Sequence, residues 1–191
     1  MLLRHTLLFL PAQLLPALCQ FAALIAWSHL ATAEVIGIVT LFTSIQEFLN
    51  IAFMGFWNQY VARYTTLFAN QPDKMSGFRT ATTAIVSASI VFQIVIGIVI
   101  YAVAIDRSLS IAMVAALAGL IGGRALNLFQ AERARAQQDV VGYTLAVTAG
   151  PVFGFLIGLL LLWKLGSSAF VVFVGFAIAQ VAGMMFNLAR N

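Results

Sequence analysis

The chain has 191 residues, of which 62% are apolar and 8% charged, with a formal net charge of +4 and a mean hydropathy of +1.01. A water-soluble domain carries about 25% charged and about 45–50% apolar residues, so these side chains cannot cover a globule in water and the expected surroundings are lipid. The basic excess includes no run of interleaved basic and aromatic residues, which leaves out nucleic acid as a partner.

A helix of about 20 apolar residues crosses a hydrocarbon core about 30 Å thick. Six stretches reach that length, 6–29, 35–57, 80–103, 109–130, 142–163 and 168–189. They predict an all-α, multi-pass integral membrane bundle of six helices forming one domain over residues 1–191. The first stretch begins after Arg4 and ends near Ala31-Thr32-Ala33, which imitates a secretory signal peptide. Its apolar part is longer than the about 7–15 residues of a signal-peptide core, and it contains Pro11, Gln13, Pro16 and Gln20. A retained, proline-kinked helix is therefore expected. Cys19 follows Leu18 rather than the small residue of a lipoprotein box, and it reads as an apolar filler.

The second span carries a polar line: Thr40, Ser44, Glu47, Asn50 and Asn58 follow at steps of 4, 3, 3 and 8, with Met54 between. Such steps keep side chains on one helix face. A carboxylate at mid-membrane costs about 2.5–3.5 kcal/mol on insertion scales, so it is expected to face a cavity or a partner. Glu47 then reads either as a contact in a hydrated pathway or as a buried structural carboxyl. A polar breaker cluster, Asn70 to Gly77, precedes the third span, which carries Thr83, Ser87 and Gln93. These groups, like Gln13 and Gln20, suit bridges between helices or a pathway wall.

Arg124 is the charge within the fourth span, and Asn127 lies one turn further. Arg124 can snorkel to the interface, or face the interior and meet an anion or Glu47; the difference in depth between the two residues leaves their pairing open. Gln130 to Asp139 is polar and helix-favouring, so the fourth helix is expected to continue past the headgroups. Gly119 and Gly123, then Gly150, Gly154 and Gly158, then Gly175, Ala179 and Gly183 recur every four residues. Small residues at that step let helix backbones approach closely and predict packing seams among the later spans.

Alternation of six spans puts Arg4, Arg63, Lys74, Arg79, Arg133, Arg135 and Arg190 on one side, and Arg107 and Lys164 on the other. That bias predicts cytoplasmic N- and C-termini. Trp27, Trp57, Tyr60, Tyr64, Tyr101, Tyr143 and Trp163 fall at or just beyond the predicted span ends, as an interfacial belt would. No catalytic set is expected. His5 and His29 lie near opposite faces, the pairing of His29 with Glu34 lacks an acyltransferase aspartate, and no phosphate-binding loop, nucleophile elbow, metal cluster or cofactor motif occurs.

The opening Leu3 to Leu15 and the segment Glu132-Arg133-Ala134-Arg135-Ala136-Gln137, before Tyr143 and Gly150-Pro151, resemble the polysaccharide and O-antigen flippases of the MATE/MOP superfamily. The resemblance implies a bacterial inner-membrane transporter that moves lipid-linked oligosaccharide between leaflets by alternating access, for cell-surface or lipopolysaccharide biosynthesis. It implies a polyprenyl-diphosphate-linked glycan as substrate, Arg124 as a cation for its head and Glu47 as a coupling site. Such transporters have two six-helix lobes, so six spans match the N-terminal lobe. The expectation is a fragment of a longer protein, with self-association or an inactive product as alternatives. A non-transporting subunit that docks glycan assembly enzymes through 130–139 is the competing expectation.

Overall fold

The computed structural model describes residues 2–68, 71–107 and 109–190; Asn70 and the side chains of Arg4, His5, Pro11, Gln13 and Arg190 lie outside the described set. The described chain is helical throughout: α1 (Leu2–Leu30), α2 (Ala33–Leu67), α3 (Pro72–Ala104), α4 (Ile111–Ala136), α5 (Val140–Thr148), a π-helical turn (Ala149–Gly154), α6 (Phe155–Leu165) and α7 (Ala169–Arg190). In hydrocarbon a backbone amide finds no water, so a spanning segment satisfies itself by coiling into a helix. Five stretches are long and apolar enough to cross a membrane, with α5, the π turn and α6 acting as one span, Val140–Leu165. The described apolar part of α1, Leu14–Leu30, is shorter than these five. The protein is an all-α, multi-pass membrane bundle.

Local chemistry ends each helix. Thr32 caps α2 by accepting from the Val35 amide at 3.4 Å, and Ser110 caps α4 by accepting from Met113 at 3.1 Å. Pro72 opens α3, where its missing N–H costs nothing. Gln138 adopts φ 59° after α4, and the Asp139 and Gln138 amides return to the Ala134 and Arg135 carbonyls at 2.8 and 3.1 Å. This αL closure is more usual with glycine. Asp139 Oδ1 then accepts from the Gly142 amide at 3.1 Å, starting α5. At the other end α6 stops at Gly166, whose φ of 92° and ψ of 174° belong to a region open essentially to glycine alone.

Two helices overshoot the apolar stretches. The second was expected to end at 57 and continues to Leu67; the third was expected to start at 80 and starts at Pro72. At 1.5 Å per residue, 35 and 33 residues give helices about 50 Å long, beyond the about 30 Å hydrocarbon core. Hydropathy sees the lipid-embedded part only, whereas helical hydrogen bonding continues into the headgroups. The fourth helix likewise continues through Ala136.

α7 and α4 pack most extensively together, with α2 and α3 against α4, and α6 and the π turn against α7. The glycine steps lie at these crossings. A methyl group on Gly175 would stand 2.7 Å from the Gly158 backbone, one on Gly119 3.2 Å from Ala177 Cβ, and one on Gly123 2.7 Å from Gln180 Cβ. Gly154 faces the Phe176 ring at 2.5 Å by the same measure, while Gly183 is half-buried on α7. Between α2, α3, α4 and α7 the core holds Phe42, Tyr101, Leu117, Ile121 and Phe173, with the Phe42 ring 5.5 Å from Tyr101 and 5.2 Å from Phe173.

Most rings of the expected aromatic belt are covered by protein rather than facing outward. Tyr101 is 2% exposed in that core, Trp27 packs edge-on against Phe176 at 5.7 Å, and Tyr143 is buried against Ala131, Ala134 and Ala146. Trp57, Tyr60 and Tyr64 lie inside α2 and stack at 4.8 and 4.2 Å, continuing to Phe68 and Phe78. Trp163 does face outward, under the Lys164 ammonium at 4.3 Å. A ring placed near a span end by the sequence packs inward when its helix overshoots or a neighbour covers it.

Gly175→Ala is expected to lower stability by about 1–3 kcal/mol, because backbone rather than a flexible side chain must yield. Gly37→Ala, with nothing within 4 Å of the new methyl, should change it by less than about 0.5 kcal/mol. Detergent-solubilised unfolding curves of the two variants check this contrast.

Candidate functional site

A cavity of about 480 Å³ opens between α1, α2, α4 and the π turn. Thr40, Thr43, Ser44 and Glu47 line it from α2, Arg124 from α4, Gln20 from α1 and Pro151 from the π turn. The Arg124 guanidinium donates to Glu47 Oε2 and forms an ion pair across the cavity, with the two side chains 24% and 44% exposed. Their pairing was open from the sequence because they sit at different depths on separate helices. The length of the arginine side chain closes the gap. With a carboxylate in reach, Arg124 is held inside rather than snorkelling to the interface.

The predicted polar line on α2 divides. Thr40, Ser44 and Glu47 face the cavity; Asn50 is 5% exposed in the helix packing, and Met54 is fully buried. At 100° per residue Asn50 has turned about 80° away from Thr40, while Asn58 returns to the same face about 27 Å further along the axis. Asn58 is half-buried and outside the cavity. Asn127 also leaves the predicted group, since it points toward α7. Its Nδ2 donates to the Gln180 carbonyl at 2.9 Å and to Gln180 Oε1 at 2.7 Å, at 1% exposure.

Three residues of this lining carry buried N–H groups with no hydrogen-bond partner among the described residues: Trp27 Nε1, Gln46 Nε2 and Arg124 Nε. A buried polar group without a partner costs about 1–3 kcal/mol. All three are donors, so the unsatisfied chemistry is that of an acceptor-rich ligand. Gln46 lies directly before Glu47 but about 100° off the predicted line, and Trp27 reads as a belt residue, so neither was placed here from the sequence. A third missed residue is Gln180, an amide within a charge-free span and therefore visible in principle. Its side chain fills the space over Gly123 and Gly150, where a methyl on either would collide with it.

The backbone at the cavity wall is irregular. Proline within an α-helix removes a hydrogen bond and clashes with the carbonyl four residues earlier. The wider π turn at Ala149–Gly154 accommodates Pro151 without ending the span. Irregular backbone at membrane depth is tolerated where it is buried in protein or lines a cavity, and Pro151 lines this one. No protein-family model, curated protein or solved structure matches the chain.

Removing one member of the ion pair strands the other. Arg124→Leu and Glu47→Leu should each destabilise by about 1–3 kcal/mol, less than the about 3–5 kcal/mol of a fully buried pair because the cavity leaves both partly exposed. The double variant should recover most of the loss. Denaturing-detergent titration of the three variants gives the coupling, and additive losses would show that the pair contributes nothing.

Proposed function

We propose that the chain is a membrane transporter lobe of the lipid-linked oligosaccharide flippase type. It would act in a bacterial inner membrane, with both termini cytoplasmic and a polyprenyl-diphosphate-linked glycan as its substrate. The observation that carries this reading is the polar cavity that holds the Arg124–Glu47 pair, with three buried unpartnered donors among its lining residues, on Trp27, Gln46 and Arg124 itself. Sugar hydroxyls and phosphate oxygens both supply the acceptors that those donors lack. A volume of about 480 Å³ falls within the about 300–1,000 Å³ of small-molecule sites. It suits a headgroup and one or two sugars rather than an isoprenoid tail. A span interrupted at its middle, beside a cavity, is the arrangement by which secondary transporters build their sites.

Orientation is supported by charge. Arg79 and Arg133 line one cavity with the end of α2, and Arg63, Lys74 and Arg135 stand on the same ends of α2, α3 and α4, as cytoplasmic ends would. At the opposite end the Thr32 amide donates to Ser167 Oγ at 3.1 Å, tying together two short loops. Rocking-lobe transport needs a second lobe, so the working unit is expected to include a further lobe or a second copy. The competing reading, a subunit that scaffolds polysaccharide assembly enzymes, draws on the polar end of α4, where Arg135 and Glu132 pair at 2.8 Å on a surface clear of the core.

Reconstituted with a fluorescent polyprenyl-diphosphate oligosaccharide, the full-length protein is expected to expose the label to the outer leaflet. Glu47→Gln and Arg124→Ala should slow this at least tenfold. No movement by the full-length protein, with both substitutions silent, rejects the transport reading and leaves the scaffold.

Cysteines introduced in a Cys19→Ser background test the cavity by itself. Positions Thr40 and Ser44 should react with a water-soluble thiol reagent, while Asn50, buried, and Phe48, 70% exposed on the outer face, should not. Equal protection at all four removes the hydrated pathway.

A further inference from the structure

A second cavity, larger at about 660 Å³, lies at the basic end of the bundle between the end of α2, the start of α3 and the end of α4. Its charged lining residues are Arg79 from α3 and Arg133 from α4, and its lining contains no carboxylate. Partial burial, and after it the positive charge of Arg79, hold the Arg133 guanidinium below its usual range. Both side chains are exposed and neither belongs to the Arg124–Glu47 or Arg135–Glu132 pair, while Arg133 also lines a small adjoining cavity with Asp139. Like charges that share a concave wall with no counter-charge repel each other, and the protein gains nothing from holding them there by themselves.

The rest of the wall suits an anion. Thr82 is 5% exposed with an Oγ1 that has no partner among the described residues, and Thr65 adds a hydroxyl, while the Thr66 and Thr83 hydroxyls already donate to the Arg63 and Arg79 carbonyls at 2.8 and 2.9 Å. Phe78 and Phe129 supply apolar sides, and Phe78 and Thr82 separate this cavity from an adjoining one that Lys74 lines. The stacked rings of Tyr60, Tyr64, Phe68 and Phe78 run along the α2–α3 hairpin beside it, as aromatic rings do at headgroup depth. Arginine meets a phosphate with two parallel N–H bonds, which makes it the usual residue for that partner.

We propose that this cavity is a phosphate-binding site at the membrane interface, in which Arg79 and Arg133 jointly hold one phosphate mono- or diester and the Thr82 hydroxyl completes its coordination. The site is separate from the Glu47–Arg124 cavity and does not depend on transport. The ligand is either the headgroup of an anionic phospholipid or a soluble phosphate, since both present the same oxygens. Binding relieves the repulsion between the two arginines and clamps α3 to α4.

The full-length protein, the Arg79→Gln, Arg133→Gln and Arg133→Lys variants, and an Arg63→Gln control are compared. Arg63 is exposed at the same end but outside the cavity lining. In neutral, phosphate-free detergent the two glutamine variants should unfold at or above the wild-type temperature, because one repelling charge is gone. Nanodiscs of phosphatidylcholine with phosphatidylglycerol, followed by native mass spectrometry, report retained lipid. In parallel, inorganic phosphate is titrated against thermal unfolding. A drop of at least tenfold in retained phosphatidylglycerol for both glutamine variants, with Arg133→Lys intermediate and Arg63→Gln unchanged, supports the site and identifies a lipid headgroup. Stabilisation of the wild type by millimolar inorganic phosphate, lost in the glutamine variants, supports it and identifies a soluble ligand. If the glutamine variants match Arg63→Gln in both arms, or are less stable than the wild type without phosphate, the proposal is overturned.

Discussion

Leucine gains nothing by leaving lipid tails for another leucine, so helices in a bilayer are held by contact at short range rather than by expulsion of water. Short range requires small residues where backbones cross. Gly175 against Gly158, Gly119 against Ala177 and Gly123 beneath Gln180 bring α7 down onto both α4 and α6. The remaining contacts depend on that approach. Phe173 reaches Phe42 and Tyr101 only because α7 sits deep, and Phe176 meets Trp27 and closes one side of the Glu47–Arg124 cavity for the same reason. A bulkier α7 would hold α1 and the π turn away and leave the cavity without a wall.

The Glu47–Arg124 pair then carries an opposite constraint. The membrane-spanning parts of α2 and α4 could pack with apolar residues alone, and two charges at that depth add a cost that a hydrophobic pair would not. The pair persists with its atoms partly open to a cavity rather than sealed by packing. A purely structural pair would be expected to be closed off, with its remaining hydrogen-bonding capacity satisfied. Instead the Arg124 Nε has no partner. The cost falls where a cavity and unspent donors occur together, which favours ligand binding over reinforcement of the fold.

Helices and seams were legible because lipid imposes simple rules. Length and apolarity mark the spans, and a four-residue step of glycine or alanine marks where they meet. The ends of α2 and α3 were not legible, because Trp57 to Leu67 and Pro72 to Arg79 are helical for backbone reasons that hydropathy does not register. Within the site, Thr40, Ser44, Glu47 and Arg124 were readable as intramembrane polar groups. That they meet was not, since the meeting depends on the rotation of α2 about its axis and its offset against α4. Asn127 shows the same limit from the other side. Its spacing from Arg124 is right for a shared face, yet a turn of about 60° sends it to Gln180 instead. Arg79 and Arg133 counted only as loop charge in the sequence, for nothing there places the start of α3 beside the end of α4.

The π turn links these observations. Pro151 forces a widened turn, and the widened turn sits where Gly150 leaves room for the Gln180 amide. That amide and its own carbonyl accept both hydrogen bonds from Asn127. One polar contact thus joins α4, α7 and the interrupted span at a single depth, a few residues from the cavity wall formed by Arg124 and Pro151. α4 and the interrupted span meet α7 at glycines, with the Gln180 side chain over Gly123 and Gly150 and the Phe176 ring over Gly154. Sliding of the interrupted span along α7 is opposed by the Gln180 amide over Gly150 and the Phe176 ring over Gly154, and rotation of α4 by the two hydrogen bonds from Asn127. This junction lies one turn from Arg124 along α4 and next to Pro151 of the cavity wall.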